Sequence, residues 1–250
     1  MSGELEEYKR QAAARALELV EPGMVVGLGT GSTAAAFVKL LGERIKQEAM
    51  SLRCVATSEQ TRQLAERCGI AISDFNSIPE VDLTVDGADE IDPELNLIKG
   101  GGGALLREKI VAMASERVCI IADSSKRVEV LGTFPLPIEI VDFGLAATIL
   151  MVEAAAENAD CKGDISVRRD RRGEPFRTDS GHLILDCAFG VIPDSEFLAE
   201  MLPIIPGVVD HGLFIGLADQ AILAGPEGVT VLHAHDPGLN RSPELCGSRG

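Results

Sequence analysis

Four stretches of this 250-residue chain bring together residue types that can do chemistry. The first is GLGTGST, residues 27–33. A glycine loop that opens a helix offers free N–H groups and the positive end of the helix dipole, so Thr30, Gly31, Ser32 and Thr33 suit a phosphate. The same loop also reads as a purely structural glycine turn. As a dinucleotide fingerprint it is poor: with Gly27 and Gly29 as the first two glycines, Ser32 stands where Gly or Ala belongs. The following strand ends in Thr57 and Ser58, not in the acid that a ribose requires, and the Walker pattern lacks its lysine. The second stretch is DLTVDGADE, residues 82–90. At the C-terminal edge of a parallel sheet, Asp86 and Asp89, with Gly87 and Ala88 between them, would accept hydrogen bonds from sugar hydroxyls or polarise a catalytic partner. Its rivals are a solvated acidic loop and a cation site built with Glu90, Asp92 and Glu94, whose spacing does not fit a calcium loop.

The third stretch is KGGGGALLRE, residues 99–108. Gly100, Gly101 and Gly102, followed by Gly103, form a backbone nest that welcomes an anion, and Lys99 places a cation beside it. Glu108 falls in the first turns of the next helix, where the dipole favours an ionised carboxylate, which suits a general base. Taken alone it would be a surface helix acid; its place behind a lysine and a glycine nest turns the reading toward catalysis. The fourth is ADSSK, residues 122–126, where Lys126 at a strand end either neutralises a phosphate or is a solvated turn lysine.

These segments need a frame. Residues 24–28, 52–56, 81–85 and 118–122 are short apolar runs, separated by helical patterns around residues 5–19, 32–45, 57–69 and 104–116. Ser32 is placed to cap the second helix, and Thr57 to Gln60 has capping-box spacing for the third. Strand alternating with helix predicts a parallel sheet covered on both faces, with all four segments at one edge. The rhythm changes near Gly132: Pro135 and Pro137 break the chain, and strands over 138–141, 165–169 and 182–187 mix with helices over 144–157 and 194–202. The expected fold class is therefore α/β, a Rossmann-like, mostly parallel sheet domain (1–131 plus 207–233) with an inserted small α+β, ferredoxin-like domain (132–206). Beyond Gly207 only residues 213–217 and 229–233 read as strands, and residues 234–250, rich in Gly, Pro and Ser, read as a mobile tail.

Composition removes several functional classes. With 23 basic and 39 acidic residues the formal charge is −16, and only 4% of residues are aromatic. A nucleic-acid partner is not expected, because neither a basic face nor a stacking platform is available. At 46% apolar the chain has the material for a core, yet no run reaches the length of a membrane span, and the N-terminus is no signal peptide. The six cysteines (Cys54, Cys68, Cys119, Cys161, Cys187, Cys246) are scattered, without metal-ligand spacing, and read as reduced thiols of a cytoplasmic protein.

GLGTGST, VDGADEID, IKGGGGALLRE, IADSSK and LGTFPLPIEI, in this order, resemble the A-type family of ribose-5-phosphate isomerases. RTDSGHLILDC and IPGVVDHGLF extend the likeness over nearly all of residues 24–232. The resemblance implies interconversion of D-ribose 5-phosphate and D-ribulose 5-phosphate through an enediolate, a step of the non-oxidative pentose phosphate pathway, without metal or other cofactor. It places Glu108 on the proton acceptor, Asp86 to Asp89 on the sugar-contacting loop, Lys99 to Gly102 on the family's KGGG segment, and Lys126 with Ser32 and Thr33 on the phosphate. It also implies a homodimer or a dimer of dimers. Residue by residue, two other classes stay open: a nucleotide-dependent dehydrogenase, motivated by Gly27 and Gly29, and a non-catalytic sugar-phosphate sensor.

Overall fold

The computed structural model describes residues 2–234. Of the expected tail, Ala234 is described, its N–H donating to Asp219 O at 3.0 Å, and residues 235–250, Cys246 among them, lie outside the described residues. Helix α1 (Ser2–Leu17) precedes β1 (Val25–Leu28), α2 (Ser32–Glu48), β2 (Arg53–Ala56), α3 (Glu59–Arg67) and β3 (Val81–Asp86). Two short strands, β4 (Glu90–Ile91) and β5 (Leu97–Ile98), lead to α4 (Leu105–Met113) and β6 (Ser115–Asp123). Then come β7 (Leu136–Ile140), α5 (Leu145–Asn158), β8 (Asp164–Val167), β9 (Leu183–Ala188), α6 (Ser195–Met201) and β10 (Val208–His211). The chain closes through β11 (Leu213–Phe214), β12 (Gln220–Gly225) and β13 (Gly228–His233).

The central sheet runs β13-β12-β6-β3-β1-β2 and is parallel except for the β12–β13 hairpin. β1 is buried along its whole length, as a strand covered on both faces must be. On one face α1 and α2 bring Ala12, Ala16, Phe37 and Leu41 against Val26, Leu28, Leu83 and Ile121. On the other, Leu97 and Phe214 of the three-stranded sheet β11-β5-β4 pack with Ile120 and Leu223. From β1 the chain steps outward to β2 and then returns to β3 on the opposite side, so the switch point of the sheet falls between β1 and β3. Open α/β sheets leave a crevice there, at the C-terminal ends of the strands.

The four-stranded sheet runs β10-β7-β9-β8, antiparallel at every pairing. With α5 and α6 it has the β-α-β-β-α-β order of a ferredoxin-like unit. Its fourth strand, β10, lies beyond residue 206, where the sequence reading returned the chain to the large sheet. β10 has only four residues and follows two prolines, so its pattern was too short to read.

Other local expectations shift. Pro137 sits inside β7, opposite Asp186, and does not break it. α3 is capped by Ser58, whose hydroxyl accepts from Thr61 N, not by Thr57. α2 has Gly31 as its N-cap and no side-chain cap, which leaves its first-turn amides free for another partner. β12 went unread because QAILAG is short and rich in small residues.

Candidate active site

β1, β3 and β6 hand the chain into loops at the C-terminal edge of the parallel sheet, and β5 of the three-stranded sheet leads into a fourth loop that lines the same cleft. Leu28 is in register with Val85, and Gly29 N donates to Val85 O at 2.9 Å. Gly29 is required here: a Cβ would stand 2.1 Å from Asp86 Oδ1. The Asp86 carboxylate thus lies against the first loop, accepting from Thr30 N (3.0 Å) and Gly87 N (2.7 Å). Its other oxygen pairs with Lys99 Nζ at 3.0 Å.

Lys99 leaves β5 and runs inward, its main-chain N–H fixed to Gly212 O at 2.9 Å. Its ammonium has three acceptors: Gly87 O at 2.5 Å, Asp86 Oδ2 at 3.0 Å and Glu108 Oε1 at 3.5 Å. The ring of Phe214 lies 5.4 Å from Nζ and, on a second approach, 4.9 Å from Lys109 Nζ. Neither Phe214 nor Lys109 was singled out in the sequence. Lys109 is itself tied to Asp210 Oδ1 and to the main-chain His211 O, both at 2.6 Å, which accounts for the acidic position of IPGVVDHGLF.

Glu108 occupies the fourth position of α4. It is 4% exposed, Lys99 3% and Asp86 2%, so one cation and two carboxylates share a buried space. Glu108 Oε2 is buried and, among the described residues, has no hydrogen-bond partner. Burial raises the Glu108 pKa to about 8; Lys99 opposes the rise, and the nearby charges of Asp86 and Asp89 add to it. The helix-dipole expectation of a readily ionised carboxylate therefore fails: desolvation outweighs the dipole. Burial also raises Asp86, but Lys99 and the two backbone donors favour its charged form. Burial alone would lower Lys99; Asp86 and Glu108 override it and hold the ammonium above its ordinary value. Lys99 Nζ thus lies closer to Asp86, at 3.0 Å, than to Glu108, at 3.5 Å.

A cleft of about 250 Å³ opens over this group. Gly31, Ser32 and Thr33 line one part with the N-terminus of α2, and Gly87, Ala88 and Asp89 another. Gly100, Gly101, Gly102, Lys99 and Glu108 form the floor, and Asp123, Ser125 and Lys126 complete the wall. Asp89 is held by Gly101 N at 2.8 Å. Gly100 has φ +100°, a left-handed conformation that favours glycine and starts the nest.

Three site readings change. Asp86 does not line the cleft, because all of its bonds go to the loops and to Lys99. Thr30 lines it, but its hydroxyl points into a cluster with Thr57 (2.8 Å), Ser58 (2.8 Å) and Thr61 (3.2 Å). That cluster fills the place where a dinucleotide-binding strand would present its acid. Leu5 and Lys9 of α1 also line the cleft and were missed, since a helical periodicity says nothing about which sheet edge a helix end overhangs. Glu90 and Asp92, the acids of the rival cation site, are committed to backbone donors: Glu90 to Gly132 N and Phe134 N, Asp92 to Glu94 N and Asn96 N. Among the described residues no group of three or more His, Cys, Asp or Glu is placed to hold a metal ion.

Residues 53–228 match the family model of ribose 5-phosphate isomerase A (phosphoriboisomerase A). The chain belongs to this family. A ribose-5-phosphate isomerase A of Nitrobacter hamburgensis is 59% identical over 228 residues, 91% of this chain and 98% of that one. Among solved structures, a D-ribose-5-phosphate isomerase in complex with phospho-erythronic acid superposes with TM-score 0.85 at 39% identity, covering 92% of this chain and 99% of that one. The ribose 5-phosphate isomerase A of Methanocaldococcus jannaschii follows with TM-score 0.83 at 37% identity, over 91% and 99% of the two chains. The resemblance read from the motifs thus holds across both the parallel sheet and the ferredoxin-like unit.

Proposed function

We propose that this chain interconverts D-ribose 5-phosphate and D-ribulose 5-phosphate by proton transfer through an enediolate, as an aldose–ketose isomerase of the pentose phosphate pathway. The observation that carries the reading is Glu108: a buried carboxyl on the cleft floor with a pKa near 8, one unpartnered oxygen and a lysine beside it. A base works best with a pKa close to the working pH.

In this mechanism the phosphate lies at the α2 end of the cleft, on the first-turn amides of Ser32 and Thr33, with Lys126 and Lys9 supplying cations. The sugar extends over the glycine nest. Glu108 takes the proton from carbon 2 of the open-chain aldose. The electron pair forms the carbon 1–carbon 2 double bond, and negative charge collects on the carbon 1 oxygen. Lys99 and the nest amides stabilise that oxyanion. Two of the three Lys99 donors are held by Gly87 and Asp86; the third, at 3.5 Å from Glu108, is the one free to turn toward substrate. Asp89, on the cleft wall, carries the proton from the carbon 2 oxygen to the carbon 1 oxygen. Glu108 returns its proton to carbon 1, which completes the ketose. Asp86 acts indirectly, by holding Lys99.

The phospho-erythronic acid bound by the 39%-identical isomerase supports this reading, since it joins a phosphate to an oxygen pair that resembles an enediolate end. We also assign residues 132–211 to a small unit set on the large sheet, counting β10 with it, and place the protein in the cytoplasm as a homodimer or a dimer of dimers. Among the described residues no helix is long and apolar enough to cross a membrane.

Conversion of ribose 5-phosphate in deuterium oxide with excess chelator, followed by proton NMR, tests the mechanism. Ribulose 5-phosphate carrying deuterium at carbon 1 is the expected product. Absence of turnover with sugar phosphate still bound would favour a sensor, and turnover lost in chelator would favour a metal-assisted hydride shift.

A further inference from the structure

We infer that Arg168, on the ferredoxin-like unit, is a positioning residue that sets the direction of the catalytic glycine nest; this inference rests on the isomerase reading above. Arg168 directly follows β8, and its side chain is largely buried. Nη1 donates to two successive carbonyls of the nest, Gly100 O at 2.9 Å and Gly101 O at 3.1 Å. Nε and Nη2 are held by Asp186 of β9, at 2.9 Å from Oδ2 and 2.5 Å from Oδ1. The guanidinium carbon lies 5.9 Å from the centroid of the Phe176 ring. A planar cation gripped at its far edge by a carboxylate therefore grips two peptide oxygens with its near edge, a geometry a lysine cannot reproduce.

The consequence follows from peptide planarity. The described chain has no cis peptide bond, so each carbonyl points away from the N–H of the following residue. Fixing Gly100 O aims Gly101 N–H at Asp89 Oδ2, 2.8 Å away. Fixing Gly101 O aims Gly102 N–H away from Arg168, where Gly102 lines the cleft. Among the described residues that N–H has no acceptor. A run of four glycines resists peptide rotation less than any other sequence. A turn bond from Gly103 N to Gly100 O, 2.9 Å, orders it in part, whereas the Gly101–Gly102 peptide has no main-chain partner among the described residues and needs an anchor from outside the nest. Arg168 supplies it, and the guanidinium also polarises both peptides, which strengthens their N–H groups as donors. The ferredoxin-like unit thus reaches the reaction through one side chain: Asp186 holds Arg168, Arg168 holds the nest, and the nest holds both Asp89 and the oxyanion donor.

The test uses the full chain with Arg168→Met and Arg168→Lys, measuring kcat and KM for ribose 5-phosphate, inhibition by phospho-erythronic acid, and the amide resonances of Gly101 and Gly102. With activity expressed per folded protein, kcat should fall about 10- to 100-fold in both variants, the scale of a displaced catalytic group. KM should stay within about threefold, and the inhibitor should weaken in step with kcat/KM, because the nest meets charge that develops only along the reaction. The two glycine amides should shift. A folded Arg168→Met with kcat within about twofold of wild type, or one that loses kcat while both amides stay in place, overturns the proposal. Should Arg168→Met fail to fold, Asp186→Asn, which loosens the guanidinium without removing it, is judged by the same criteria. A wild type that does not turn over ribose 5-phosphate would refute the isomerase reading, and the glycine amide shifts alone would then decide whether Arg168 orders the nest.

Discussion

Replacing Glu108 by glutamine separates what this carboxyl costs the fold from what it does for the reaction. In the folded protein its pKa is raised from 4.5 to about 8, chiefly by burial. Between those two values the unfolded chain gives up a proton that the folded chain keeps. The folded state then binds more protons, so the free energy of unfolding falls as pH rises. The stability linked to this group is fully present below pH 4.5, drains away through the neutral range and is gone once pH has passed 8. Each pKa unit is worth about 1.4 kcal/mol, so the wild type should lose up to about 5 kcal/mol across that window. Glutamine has nearly the same shape and no proton to lose. Urea unfolding of both proteins from about pH 5 to pH 9 should therefore show the variant gaining on the wild type as pH rises, with most of the gain below pH 8. Over the same range wild-type kcat/KM should climb about tenfold per pH unit until it levels near 8, while the variant loses about 10²- to 10⁴-fold in turnover. A stability difference that stays constant from acid to alkaline pH would refute the assignment of the mobile proton to Glu108. Near-wild-type turnover in the variant would refute its role as base.

The other perturbations read different parts of the same machinery. Lys99→Met leaves the Asp86 carboxylate buried without its cation, so it should destabilise the protein by about 3–5 kcal/mol near neutral pH, less in acid, and cut kcat about 10²- to 10³-fold; denaturant titrations and single-turnover kinetics measure the two effects. Lys126→Ala and Lys9→Ala should raise KM with little change in kcat, as expected for uniform binding of a phosphate, and a fall in kcat alone would move those lysines away from the phosphate. Gly29→Ala would press a methyl against the Asp86 carboxylate, 2.1 Å away in the native geometry. That variant should lose activity through the displaced Asp86–Lys99 pair even at substrate saturation, and unchanged kcat would show that the loop yields at no cost to the site.

The parallel sheet was legible because its strands are short apolar runs punctuated by glycine loops, a pattern that sheet burial imposes. The site's inventory was legible for a related reason: Asp89 and Lys126 each stand three residues beyond a parallel strand, and Lys99 and Glu108 flank the glycine nest that opens a helix. What stayed hidden depends on contacts across long stretches of chain. Lys9 reaches the cleft only because α1 overhangs the switch point, and Arg168 reaches the nest only because β8 pairs with β9 on a sheet laid against α4. No local periodicity encodes either. β10 and β12 escaped notice because four residues after a proline, or six rich in alanine and glycine, carry no period to read.

The division of labour among the carboxylates shows most clearly why residue type alone is insufficient. Asp86 and Asp89 are three residues apart, and in the sequence they are interchangeable. The register of β3 against β1 turns Asp86 into the amides of the neighbouring loop and onto Lys99, whereas Asp89, one turn of the loop later, takes a single amide from the nest and stays at the cleft wall. Glu108, on a helix, approaches the same ammonium from the other side but finds no backbone donor. Three acids of nearly equal intrinsic strength thus meet three environments: two amides and a lysine for Asp86, one amide at the cleft wall for Asp89, and a lysine alone for Glu108. The number of donors each one meets separates them. A loop insertion that moved β3 by one residue would exchange Asp86 for a neighbour facing the opposite side of the sheet, and Lys99 would lose the carboxylate that pairs with it at 3.0 Å.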